Sequence, residues 1–169
     1  MTARPVLKAF EGTRVELETQ HPLETVLHRL RDACGRSSAG EIASLAQNAR
    51  DLHAFEEEVK VRYVGRSGFM IFGEFDHGAW LGIYGIRRPA VRVILGNPLI
   101  AIKMMKLDVT AGLFAPVELL LCQRRNGSGT TAVYVRPSTL ICTTENVDLH
   151  AAAVALDDKL EKLVLDVCS

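Results

Sequence analysis

The sequence predicts an α+β fold, a single largely antiparallel sheet with helices packed on one face. Three observations predict it. Short runs rich in β-branched and aromatic residues follow one another through short, turn-rich connections. Amphipathic stretches of helical period flank those runs toward both ends of the chain. An Asn-Gly turn between two apolar runs marks a hairpin rather than a crossover. Helices flanking a run of strands is the element order of an α+β domain.

Each element can be justified in turn. Arg14 to Glu18 (RVELE) alternates apolar and charged residues, the period of a strand. Pro22 opens a helix in which Leu23, Val26, Leu27, Leu30 and Cys34 share one side, and Gly35 ends it. Ser38-Ala39-Gly40-Glu41 carries the S-x-x-E capping-box pattern. Ile42, Leu45, Ala49 and Leu52 continue from it, so one second helix is expected from Ser38 to about Glu58. Val59 to Val64 alternates and reads as a short strand. Phe69 to Phe75 is a strand, with Trp80 to Tyr84 expected as its partner.

The second half follows the same logic. Val91 to Leu95 is a β-branched strand. Asn97 then stands where an N-cap belongs, Pro98 fits the first helical position, and Gly112 is a plausible stop. Pro116 precedes an apolar strand, Val117 to Cys122. Arg125 to Gly129 is the hairpin turn, and Thr130 to Val135 the return strand. A last helix, about Asp148 to Val167, carries Leu149, Ala152, Leu156, Leu160, Leu163 and Val167.

Bulk composition narrows the function classes. The 169 residues fit one domain, 1–169. Lysine plus arginine equals aspartate plus glutamate, 20 of each, which argues against a nucleic-acid surface and does little to oppose self-association. Cys34, Cys122, Cys142 and Cys168 are scattered, so free thiols in a reducing compartment are expected. The opening MTARPVLKAFEGTRVELE has no apolar core of signal-peptide length, and a cytoplasmic location is expected. Ile94 to Leu121 is mostly apolar, but Asn97-Pro98, Lys103, Lys106 and Asp108 interrupt it, so no membrane span is expected.

The sharpest local cluster is Glu74-Phe75-Asp76-His77-Gly78. Strand alternation puts Glu74 and Asp76 on one face, with His77 at the strand end. A carboxylate beside an imidazole can orient it and raise its basicity, as a general base requires. Asp, His and Gly also suit an ordinary turn. Asn97 with Pro98 is accounted for as a helix start, although backbone N–H groups there, near Arg87, Arg88 and Arg92, could hold an anion. Arg92 lies between Val91 and Val93, so its head should point away from their face. Trp80, Tyr84 and Phe72 could line an apolar pocket or simply be core. No local spacing supplies three metal ligands, and no phosphate loop or nucleophile signature is present, so neither metal nor cofactor is expected.

Five segments, taken together, carry a resemblance. They are RVELETQHPLETVLHRLRDA, GFMIFGEFDHGAW, the strand ending ILGNP, AGLFAPVELLL with its Gly-rich hairpin, and TTAVYVRPSTL. In this order they resemble domain-of-unknown-function family 302, over about residues 14–34 and 66–167. The resemblance implies one antiparallel sheet with two helices on one side, of TATA-binding-protein-like topology, and a tendency to dimerise. It carries no DNA binding with it. The chain departs from the family at about residues 35–65, where a helical insert is expected.

Two functions are expected from different classes. One is a small-molecule-binding or assembly module, working as a homodimer, with Arg88, Trp80, Tyr84 and Asn97 as ligand residues. The alternative is an acid–base lyase, isomerase or cyclase acting on a carbonyl-bearing or polyketide-like metabolite. There His77 is the base, Asp76 or Glu74 orients it or supplies the acid, and Arg88 stabilises an anion or carbonyl.

Overall fold

The computed structural model describes residues 2–169. A six-stranded sheet runs in the order β1-β6-β5-β4-β3-β2. Its strands are β1 (Arg14–Thr19), β2 (Gly35–Arg36), β3 (Met70–Asp76), β4 (Ala90–Gly96), β5 (Val117–Gln123) and β6 (Thr130–Val135). Every neighbouring pair is antiparallel except β2 with β3. The helices are α1 (Leu23–Ala33), α2 (Ala39–Asn48), α3 (Leu52–Arg62), α4 (His77–Leu81), α5 (Pro98–Met105), α6 (Pro137–Ile141) and α7 (Val147–Cys168). Short 3-10 turns cover Gly82–Tyr84 and Val109–Leu113. This is the α+β architecture that the sequence predicts.

Strand alternation divides the sheet into two faces. Val93, Leu95, Leu119, Leu121 and Ala132 point to one side and are buried. Leu27 and Leu30 of α1, Met104 of α5, and Leu149, Leu156 and Leu160 of α7 complete that core. The stripe predicted for α1 is buried throughout, from Leu23 to Cys34. Asn97 caps α5, accepting a hydrogen bond from the Leu99 N–H, with Pro98 first in the helix. No helix among the described residues is long and apolar enough to cross a membrane.

Four expectations are corrected. Trp80 to Tyr84 is not a strand: it continues from α4 into a 3-10 turn. Asp76 caps α4 by accepting from the Ala79 N–H, and β3 pairs with β4 instead. Val59 to Arg62 belongs to α3 and is not a strand. Lys60 pairs with Glu57 and Arg62 with Glu58 at helical spacing, while Val59 alone of that helix is buried. The single helix expected from Ser38 breaks at Ala49–Asp51, because Asp51 caps a new one through the Ala54 N–H. The helix after Asn97 ends at Met105, before Gly112, and Asp108 caps a separate turn. The capping box at Ser38 and Glu41 is present in full.

Candidate functional site

The second face of the sheet lies opposite that core. One row crosses it in register: Phe75, Arg92, Leu120, Val133 and Glu16. Arg92 occupies the middle of β4, with its head opposite the Val91 and Val93 face, as its sequence neighbours require. Over this row lies a cleft of about 600 Å³. Leu120 and Val133 form its apolar floor, Phe114 and Leu140 stand at one end, and Arg14, Arg92 and His77 supply cationic or titratable groups. The Phe114 and Leu140 walls come from the turn before β5 and from α6, so distant segments converge here.

Arg92 is only partly satisfied. Its Nη2 pairs with Glu118, the neighbour one rung along the same face. Its guanidinium carbon lies 6.0 Å from the Phe75 ring centroid, within range of a cation–π contact. Its Nε is cut off from solvent and has no hydrogen-bond partner among the described residues. A buried donor without an acceptor is costly.

The expected catalytic cluster is divided by the sheet. Glu74 and Asp76 do share a face, but it is the face of Val93 and Val91, which they oppose in register. His77 lines the cleft on the other side. The Arg31 guanidinium donates to both Glu74 carboxylate oxygens, at 3.2 Å and 2.5 Å, and Arg36 donates at 2.7 Å. The hydrogen bonds from Arg31 hold the Glu74 carboxyl below its usual 4.5, with burial opposing and Arg36 reinforcing the shift. Such a carboxylate ties α1 and β2 to β3 and is poorly placed to give or take protons near neutral pH.

This shift has a stability consequence. A carboxyl with a depressed folded pKa binds fewer protons in the folded state. Its contribution is complete above its usual 4.5 and fades as pH falls through the lower folded value. Because the Arg31 and Arg36 partners are open to water, the loss should be about 0.5–1 kcal/mol. Urea melts between neutral and acid pH check this: Glu74→Gln should flatten that part of the wild-type pH dependence.

The other expected residues are spread out. Asp76 caps α4. His77, Trp80 and Tyr84 form an edge-to-face ladder, with centroid spacings of 5.8 Å and 6.3 Å. Trp80 and Tyr84 are exposed on it. Arg88 donates to the Gln123 carbonyl at 2.6 Å and to the Cys122 thiol, next to the hairpin. Asn97 lines an apolar slot beside α5, with Phe72. The sequence reading placed Arg92 on the correct face but missed it as the anchor of a cleft; a cation centred in a β-branched run was the available signal.

The family model described as "Domain of unknown function DUF302" matches residues 49–167. The chain belongs to the DUF302 family. The match starts ahead of α3, so α3 falls inside the family region, although residues 35–65 were expected to be an insert. The described structure resembles the crystal structure of an uncharacterized conserved DUF302 protein from Bacillus stearothermophilus. The two share 17% identity at a TM-score of 0.62, covering 92% of this chain and 98% of that one. At that identity the likeness concerns the fold of this DUF302 chain alone. No curated protein matches it.

Proposed function

We propose that this DUF302 chain is a small-molecule-binding module whose ligand occupies the cleft over the second sheet face. The observation that carries this reading is the Arg92 guanidinium set in a cleft whose floor, Leu120 and Val133, is apolar. A ligand with an acceptor oxygen and an apolar body satisfies both. Calorimetric titration with hexanoate tests it. Wild-type protein should bind, and Arg92→Ala should bind at least roughly tenfold more weakly, the worth of one charge-assisted hydrogen bond. Equal heats from both proteins would remove Arg92 from the assignment.

Assembly through a second surface is part of the same proposal. Ile83 and Tyr84 are 84% and 75% exposed, and they share the α4 and 3-10 segment with Trp80, also exposed, with exposed Ile86 just beyond it. A contiguous apolar knob of this kind is typical of an interaction site, and we propose a second copy as its partner, giving a homodimer. Sedimentation at tens of micromolar should show a dimer for the wild type and a monomer for Ile83→Lys with Tyr84→Lys. A wild-type monomer there would end the proposal.

An acid–base enzyme is the second reading, favoured by His77 lining the cleft. In this reading His77 takes a proton from the carbon beside a ligand carbonyl. The check is deuterium wash-in beside the carbonyl of 2-octanone in D2O. Wild-type protein should accelerate it and His77→Ala should not; equal rates would exclude His77 as the base.

A further inference from the structure

A second cleft, of about 670 Å³, opens between α1 and α7 and shares no residue with the Arg92 cleft. Its polar groups come from three elements: Arg29 of α1, Arg66 and Ser67 of the connection into β3, and Lys159, Lys162 and Asp166 of α7. Buried Ala33, Leu163 and Val167 lie beneath them. Helical spacing explains the gathering. Arg29 and Ala33 are neighbours four apart on α1, and Lys159, Lys162, Leu163 and Asp166 follow the i, i+3, i+4, i+7 pattern on α7. The loop between them is held in place. Ser67 donates its N–H to the Ala33 carbonyl at 2.9 Å, and its hydroxyl meets the Cys34 thiol and accepts from the Phe69 N–H. Arg66 is thereby fixed beside the end of α1.

Four cations meet one carboxylate here, in a chain with no net charge. Lys162 pairs with Asp166 at 3.3 Å. Arg29, Arg66 and Lys159 form no ion pair among the described residues. Arg29 uses Nη1 to donate to the Val167 carbonyl at 3.3 Å and keeps its other donors. A concave surface lined by one sign of charge concentrates the opposite ion.

The groups that would oppose an anion are already bonded. α7 ends at this cleft, where its last carbonyls carry partial negative charge. The Val167 oxygen accepts from Arg29, the Cys168 oxygen from the Thr19 hydroxyl at 2.7 Å, and the Leu165 oxygen from the Ser169 hydroxyl. The Ser169 oxygen lies 2.8 Å from His21 Nε2.

We infer that this cleft binds a multiply charged phosphate group, of the diphosphate class, between Arg29, Arg66 and Lys159. A carboxylate offers one charge and two oxygens in one plane. A diphosphate presents more charge and oxygens in several directions, so it can meet donors that arrive from three elements. This site is additional to the cleft reading above and does not depend on it.

Inorganic pyrophosphate is the probe, titrated at low salt into ¹⁵N-labelled protein. The Arg66 and Ser67 backbone N–H and the Arg29 Nε–Hε resonances should move along one binding curve that weakens as salt is added. Arg66→Glu with Lys159→Glu should weaken binding at least roughly tenfold, and the neutral pair Arg66→Gln with Lys159→Gln by less. Arg66 and Lys159 are exposed, so both double variants should keep the wild-type circular dichroism. Arg125→Glu, which reverses an exposed cation on the β5–β6 hairpin, should leave the affinity unchanged. No movement at about 10 mM pyrophosphate would overturn the site. An equal loss in Arg125→Glu would overturn it as well, because diffuse charge alone would then explain the binding. Citrate binding as tightly as pyrophosphate would overturn the phosphate assignment. Capture of the protein by phosphatidic acid vesicles, with pyrophosphate moving nothing, would overturn a soluble diphosphate in favour of a lipid headgroup.

Discussion

Replacing Gly35 with alanine is expected to prevent folding or to lower stability by about 4 kcal/mol or more. An ideal Cβ at this position would stand 1.7 Å from the Tyr63 carbonyl oxygen, 2.6 Å from its carbon and 2.9 Å from the Gly65 nitrogen. All three are backbone atoms, so no side chain can swing aside. The crowding is reciprocal, because a Cβ on Gly65 would meet the Gly35 nitrogen at 2.3 Å. Both glycines donate their N–H to the Phe69 carbonyl, and Ser67 donates to Ala33. The end of α1, β2, the end of α3 and the approach to β3 thus share one tight crossing. Moving any of them disturbs Phe69, which is fully buried in the core. Elsewhere a glycine-to-alanine change often stabilises by restricting the unfolded chain, by about 0.4–1 kcal/mol. Urea denaturation followed by far-ultraviolet circular dichroism separates the two signs. An unchanged midpoint would mean the crossing can relax and is not needed for the fold.

Elements whose signals are local were legible in the sequence. The α1 stripe, the Ser38 capping box, the Asn97-Pro98 helix start, the Asn-Gly hairpin and α7 each announce themselves within a few residues. Elements decided by distant partners were not. Residues Trp80 to Tyr84 carry aromatic and β-branched side chains, yet β4 takes the place beside β3 that they would have filled. Val59 to Val64 alternates like a strand, but Asp51 caps the helix that absorbs most of it. The two residues of β2 form a strand only because Phe69 and Ile71 lie alongside them. The site follows the same division. His77 and Arg92 were visible as chemistry, and the face of Arg92 followed from Val91 and Val93. The role of Glu74 was hidden because Arg31 and Arg36 come from 43 and 38 residues away. The cleft was hidden because Phe114 and Leu140 meet Leu120 and Val133 only after the sheet forms.

Asp157→Ala should cost about 2–4 kcal/mol, as the second large effect. Asp157 stands on α7 among the apolar positions Ala153, Leu156 and Leu160, and is buried with them. Its carboxylate accepts from the Ser138 N–H at 2.9 Å and from the Ser138 hydroxyl at 2.5 Å. Ser138 is the second residue of α6 and is itself buried, so Asp157 caps that helix from another element. Alanine would leave two buried donors without an acceptor, each worth about 1–3 kcal/mol, less what rotation of the hydroxyl recovers. Asparagine keeps an acceptor for the N–H and should lose about half as much. Adding Ser138→Ala to the alanine variant should cost little more, since the shared interaction is already gone. The consequence extends to the cleft, because Pro137 and Leu140 of α6 are part of its wall. Asp157→Ala should therefore weaken hexanoate binding even at temperatures where it stays folded. Full hexanoate affinity in a folded but destabilised variant would show that α6 closes the cleft only in outline, and that the floor and Arg92 suffice to hold the ligand.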